Sequence, residues 1–164
     1  MNNSIENGLI AAILLLIIFI PVYIAVRNSR SKKKRRITHE LHLLEQQHNL
    51  SFQVIEQFDS FAIAADKVKK TLIKVDLKDY SSELIDLGNV ADCTVEEKKQ
   101  RNVIQLLQLV LWDKNKQPMH YIVFYRQYID NEGNLKKTVR IAAQWEEMIR
   151  AIVNNRLLTI EKSI

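Results

Sequence analysis

The sequence predicts an α+β protein in which an N-terminal transmembrane helix and a short stalk helix precede a small antiparallel β-barrel or sandwich, closed by a C-terminal amphipathic helix. Three patterns lead to this prediction. Residues 8–26 are apolar and uncharged, apolar and polar residues alternate in short segments after residue 51, and apolar residues recur at spacings of three and four after residue 137. These patterns are typical of a membrane span, of strands and of an amphipathic helix, respectively.

The apolar run from Gly8 to Val26 contains 19 residues. As a helix it is roughly 28 Å long, which matches the hydrocarbon thickness of a bilayer. A cleaved signal peptide is the competing interpretation, but it needs positive charge before the apolar stretch, and the leader, residues 1–7, carries only Glu6. Pro21 and Tyr23 are both tolerated in a membrane helix, so neither needs a functional role.

A polybasic juxtamembrane linker, residues 27–36, follows the span. Because Lys and Arg are retained on the cytoplasmic side, the linker predicts a single-pass bacterial inner-membrane protein with its N-terminus outside and its C-terminal domain in the cytoplasm. Its side chains would contact anionic lipid headgroups, at about 1 kcal/mol each. The predicted membrane-surface residues are Arg27, Arg30, Lys32, Lys33, Lys34, Arg35 and Arg36.

The net charge of +5 and the pI near 9.3 are compatible with a nucleic-acid partner. The linker alone holds seven basic residues, however, so the rest of the chain is close to neutral. The linker also contains no aromatic residue that could stack on bases. We therefore predict no nucleic-acid partner.

Residues 37–50 predict a stalk helix, because Ile37, Leu41, Leu44 and His48 fall at helical spacing and no Gly or Pro intervenes. Two heptads are too few for a convincing coiled coil. The apolar stripe would pack either on the domain or on a second copy of the chain, so a homo-oligomer remains an option.

Residues 51–155 predict one compact cytoplasmic domain. Strand-like alternation is clearest from Ile73 to Lys78, and it recurs around Val54 and from Tyr121 onward. Short intervals between turns indicate a barrel or sandwich of successive hairpins. The predicted turns are Asp59–Ser60, Asp66–Lys67, Lys78–Asp79, Gly88–Asn89, Asp113–Gln117 and Asp130–Asn134.

One segment, Val103–Leu111, fits both a helix and a strand, and the good helix formers of residues 96–101 precede it. We favour a strand. Its continuation through Trp112, a polar turn and Pro118 predicts a hairpin in which one strand is buried on both faces.

The domain closes with a helix predicted at residues 137–154. Its apolar face is formed by Ala142, Trp145, Ile149 and Ile152. We assign Trp145, Ile149 and Ile152 to the structural core. The Asn154–Asn155 pair predicts the end of the helix, and residues 156–164 are left as a tail.

Few residues suggest metal or nucleophilic chemistry. Cys93 is the only cysteine, and its predicted strand setting indicates a buried thiol with a raised pKa. His39 and His42 are three residues apart, one short of the His-Glu-x-x-His zinc spacing, and we expect them on a solvated surface. His48 and His120 are isolated. We predict no metal and no cofactor.

The carboxylates do not predict acid–base catalysis either. Most fall in predicted turns or on the polar side of strands, where they cap backbone groups or face water. The candidates are Asp59, Asp66, Asp76, Asp79 and Asp86. The chain lacks a phosphate-binding loop, a dinucleotide-binding glycine triplet and a nucleophile elbow, so no catalytic residue is assigned.

The stretch from Thr138 to Ile149, with Trp145 at its centre, resembles the closing helix of the pleckstrin-homology-like fold, particularly of small membrane-tethered bacterial members. The resemblance covers residues 51–155 and implies that this helix plugs one end of a barrel. The family's basic cluster in the first hairpin loop is poorly met at Asp59–Ser60, although Lys67, Lys69 and Lys70 lie in the next turn. We therefore do not infer phosphoinositide binding for this chain.

These observations together predict a membrane-anchored, non-enzymatic binding or adaptor module for an unidentified protein partner. Two alternatives stay open. One is a structural subunit of a multi-chain membrane assembly, and the other is an enzyme whose polar residues converge only in the folded chain.

Overall fold

The computed structural model describes residues 18–21, 23 and 35–161, with side chains up to residue 154. The chain divides into two units, Met1–Leu43 and Leu44–Ile164. Every described residue of the first unit is helical, and residues 35–48 form helix α1, close to the predicted stalk.

Most of the predicted span and linker lies outside the described residues. Arg35 and Arg36 lie in α1 with exposed side chains. Within the described ranges, no helix combines the length and apolar character needed to cross a bilayer. The other predicted membrane-surface residues, which lie outside the described ranges, are Arg27, Arg30, Lys32, Lys33 and Lys34.

The second unit contains two antiparallel sheets followed by one long helix. Its strands are β1 (Val54–Gln57), β2 (Phe61–Asp66), β3 (Thr71–Asp76), β4 (Ser82–Asp86), β5 (Asp92–Gln100), β6 (Val103–Trp112) and β7 (Pro118–Arg126). A 3₁₀ turn (Glu132–Asn134) leads into helix α2 (Leu135–Glu161). Sheet A contains β1 to β4 and sheet B contains β5 to β7, each in sequence order.

The two sheets do not join into a closed barrel. In the described part of the chain, no ladder connects β4 to β5 or β7 to β1. The backbone N–H of Leu87 still bonds to the carbonyl of Lys70 at 2.8 Å, but the Asp86 carboxylate then accepts the N–H of Gly88 at 2.7 Å and turns the chain out of sheet A. The barrel alternative is therefore wrong, and the fold is α+β with two separate sheets.

The ambiguous segment is a strand, since β6 is the central strand of sheet B. Its alternate residues Leu107, Leu109 and Leu111 are fully buried in the core. Residues 96–101 have high helical propensity, but they form the end of β5 and the start of the following turn. Pairing with β6 outweighs that propensity.

Helix α2 contributes its apolar face to a core shared by both sheets. Trp145 is 3% exposed and Ile149 is fully buried, in one cluster with Ile63 of β2 and Leu109 of β6. Ile152 belongs to the same cluster. The helix continues to Glu161, past the predicted stop at Asn154–Asn155, because no Gly or Pro follows that would break it.

The turn between β2 and β3 is fixed to the start of the domain by Asp66, a buried carboxylate. Its oxygens accept the backbone N–H groups of Ser51 at 2.8 Å and of Val68 and Lys69 at 2.9 Å. Burial works to raise the pKa of Asp66, but these hydrogen bonds outweigh it and hold the pKa below its usual value. Asp66 therefore stays ionised at neutral pH and stabilises the turn.

Replacement of the central helix residue tests the shared core. Trp145→Ala should lower the free energy of unfolding by about 3 to 5 kcal/mol, because the indole is almost completely buried. The measurement is a denaturant titration of the full chain in detergent followed by circular dichroism, with Gln144→Ala on the exposed face of α2 as the control. Equal midpoints for the two variants would contradict this packing.

Candidate interaction surface

Cys93 is a structural residue in the fold. It is fully buried on the core side of β5, and its Sγ lies 3.4 Å from the backbone oxygen of Glu146 in α2. Burial raises the pKa of the thiol to about 12, with the nearby Arg150 opposing that shift only in part. The thiol is therefore protonated at neutral pH and is not a nucleophile.

Side chains of α2 close the free edge of β5, which among the described residues pairs with β6 alone. The Glu146 carboxylate accepts the N–H of Val95 at 3.2 Å, and Arg150 Nε donates to the carbonyl of Cys93 at 3.0 Å. Glu146 and Arg150 also pair with each other at 3.0 Å. Because these backbone groups are bonded to side chains, this part of the edge does not offer a template for an added peptide strand.

The histidines do not converge on a common centre. His120 Nδ1 lies 3.0 Å from Glu83 Oε1 and links β7 to β4, whereas His39, His42 and His48 lie on α1. Over the ranges that the structure covers, no group of three or more His, Cys, Asp or Glu residues could hold a metal ion.

The candidate aspartates cap turns, as their positions predict. The Asp76 carboxylate accepts the N–H of Lys78 at 2.7 Å, and the Asp79 carboxylate accepts that of Ser81 at 3.0 Å. Hydrogen bonds from the backbone and hydroxyl of Ser81 lower the pKa of Asp79. Asp66 and Asp86 cap backbone groups in the same way, and Asp59 accepts from the Asn134 amide at 3.4 Å.

Two small clefts lie beside α2. The first, of about 110 Å³, is near the start of the helix and has a polar lining that includes Asp59, Asp130 and Lys137. The second, of about 180 Å³, lies between α2 and the β2–β3 turn, where Lys67 and Lys70 face Met148 and Ile152. Lys69, the third lysine of this turn, is not part of that lining and contacts the carbonyl of Asn49. Both clefts are too small for a drug-sized ligand.

A larger surface lies on sheet B, on the face opposite Leu107, Leu109 and Leu111. We call it the outer face. The strand registers place Thr94, Val110 and Tyr121 in one row across it and Glu96, Gln108 and Val123 in the next. A third row contains Asp92, Trp112 and Pro118.

The outer face combines aromatic and aliphatic side chains with partial exposure. Tyr121 is 51% exposed, and Trp112 is partly buried. Because α2 contributes to the core on the inner side, it does not cover these residues. Aromatic side chains that are partly exposed on one face are typical of protein-binding surfaces.

A cleft of about 410 Å³ lies at the Trp112 end of the outer face. Its lining consists of Ala91, Asp92, Thr94, Trp112, Asp113, Lys114 and Lys116. The β6–β7 turn that supplies its lysines is held by Asp113, whose carboxylate accepts the N–H groups of Asn115 at 2.8 Å and Gln117 at 2.7 Å. The outer face and its cleft are therefore the candidate functional site.

Sequence reasoning did not single out this site. It recognised the alternation of Tyr121 and Val123 with Ile122 and Phe124, which is the signal of a two-sided strand. It predicted that one strand of this hairpin is buried on both faces, and Val110 and Gln108 of β6 are buried on the outer face, whereas Trp112 is only partly buried. The juxtaposition of Trp112 with Asp92 depends on a register that the sequence does not reveal.

The fold and the surface define an α+β domain with a candidate site for binding another molecule. No protein-family model, no curated protein and no solved structure matches this chain.

The burial of Cys93 predicts low thiol reactivity. At pH 8 the thiol of the folded chain should react with a maleimide at least about 100-fold more slowly than the added surface thiol of a Lys136→Cys variant, because it is protonated and enclosed. Both thiols should react rapidly in denaturant. Comparable rates in the native state would show that Cys93 is accessible and contradict its placement in the core.

Proposed function

We propose that this protein is a membrane-tethered, non-enzymatic adaptor that binds a partner protein through the outer face of sheet B. The presence of Trp112 and Tyr121 in neighbouring rows of that face is the observation that carries the proposal. Aromatic residues and methionine are enriched at protein interfaces because they bury large areas at low cost in conformational entropy.

The tether is proposed from the sequence. The apolar run of residues 8–26 and the basic residues that follow it favour a single inner-membrane span with the domain in the cytoplasm. Its physical role is to raise the effective concentration of the domain toward other membrane-bound proteins. Anionic lipid headgroups at the linker would be a second, less specific partner.

We also propose that the domain is pleckstrin-homology-like. Its seven antiparallel strands and a closing helix with Trp145 in the core agree with the pattern on which the resemblance rests. This proposal concerns architecture alone, since a fold does not determine a function.

The alternative function is a structural subunit of a multi-chain assembly. The same partly apolar face favours it, because a permanent contact between subunits also buries such side chains. The two functions differ in the molecule that occupies the face. An adaptor binds a different protein, whereas a homomeric assembly places another copy of the chain there.

Site-specific cross-linking distinguishes these functions. A photoreactive phenylalanine analogue in place of Tyr121, in the full chain in its native membrane, should form one discrete adduct with another protein. The control is the same replacement at Tyr128, which is 87% exposed but lies outside the outer face. Removal of residues 8–26 should strongly reduce the adduct, because the effective concentration falls.

Three outcomes would contradict the proposed function. Equal labelling from both positions would show that contact at Tyr121 is not specific to the face. The absence of any adduct at Tyr121 would show that the face is unoccupied in the membrane. An adduct between two copies of the chain would favour the structural subunit instead.

A further inference from the structure

The cleft at the Trp112 end of the outer face, which we call the Trp112 cleft, has one apolar wall and a rim of charged side chains. The indole of Trp112 lies between Asp92 and Pro118 in its row across the sheet. Trp112 is partly buried, and the cleft beside it is concave. Such an arrangement accepts an inserted apolar side chain rather than presenting a protruding one.

The carboxylates at the rim are already engaged. Asp113 accepts the two backbone N–H groups of the turn. Asp92 accepts the N–H of Cys93 at 2.8 Å and lies 3.4 Å from Arg150 Nε. Their negative charge is therefore partly balanced by groups within the fold.

The lysines at the rim are not engaged in this way. Among the residues that the structure describes, neither Lys114 nor Lys116 forms a side-chain hydrogen bond or an ion pair, and both side chains are exposed. The backbone of Lys116 is held at a positive φ of 58° and donates to the carbonyl of Asp113 at 3.2 Å, so the turn that carries both lysines is well defined. The ammonium groups of these two lysines, which form no ion pair among the described residues, lie near an apolar wall. Together they complement a ligand that is both apolar and anionic.

We propose that the Trp112 cleft binds an acidic segment of the partner protein. An apolar side chain of that segment packs against Trp112, and neighbouring carboxylates contact Lys114 and Lys116. This inference rests on the proposed function and specifies the chemistry of the partner. Pairs of this kind at the rim act mainly on specificity and association rate, whereas the apolar anchor supplies most of the affinity.

An anionic bilayer fits the same surface less well. Side chains that enter a bilayer protrude from the surface, whereas the Trp112 side chain lines a cleft. The geometry therefore favours a protein segment.

A peptide selection tests the proposal without knowledge of the natural partner. The full chain in phosphatidylcholine nanodiscs is presented to a displayed library of short random peptides. Enriched peptides should contain an apolar or aromatic residue next to two or more Asp or Glu residues. Their synthetic forms should bind at least about tenfold more weakly to Lys114→Ala/Lys116→Ala and to Trp112→Ala.

Matched variants keep the test specific. Lys136→Ala/Lys137→Ala removes two exposed lysines from the first turn of α2 and should leave peptide affinity unchanged. Added salt should weaken binding to the natural chain more than binding to Lys114→Ala/Lys116→Ala, because the rim contacts are screened. An equal salt response in both proteins would contradict the contacts with Lys114 and Lys116.

Other outcomes overturn the inference. A selection that enriches neutral or basic peptides, or enriches none, would show that the cleft does not prefer acidic segments. A blue shift of Trp112 fluorescence on replacing phosphatidylcholine with phosphatidylserine, absent in Trp112→Phe, would assign the face to the bilayer. Failure of the inference alone is distinguishable, because the Tyr121 adduct would then form equally well in Lys114→Ala/Lys116→Ala.

Discussion

Burial of the apolar face of α2 is the interaction on which the rest of the domain depends. Sheets A and B share no ladder among the described residues, so backbone hydrogen bonds do not hold them together. They are joined by side chains that meet in one cluster. Trp145 and Ile149 of α2 pack there with Ile63 of sheet A and Leu109 of sheet B. The hydrophobic effect at this cluster therefore maintains the arrangement of the sheets.

This constraint also determines which surfaces are open for binding. Because α2 contributes to the core on the inner side of sheet B, the fully buried leucines of β6 are committed to the core. The same helix covers the edge of β5 through Glu146 and Arg150. The outer face around Trp112 and Tyr121 is left for recognition, and the packed core on the opposite side of the sheet supports it.

Sequence patterns predicted much of the fold but little of the site. Alternation located β3 and β7, and apolar spacing placed Trp145 on the buried side of a helix, because both signals reflect local periodicity. The sequence left a barrel and a sandwich as alternatives, since the turn at Asp86–Leu87–Gly88, where the chain leaves sheet A, depends on a contact with Lys70. Trp112, Lys114 and Lys116 were not recognised as a site, because the cleft that they line forms only where the strand register places Asp92 opposite Trp112.

Native-state hydrogen exchange tests the shared core most directly. If one core holds both sheets, the slowest amides of β2 and of β6 should open with the same free energy at every denaturant concentration, because neither sheet keeps its structure without the other. Ile63 and Leu109 are the residues to compare. A β6 amide that stays protected while β2 exchanges through a lower-energy opening would contradict a single core and, with it, the account of the domain.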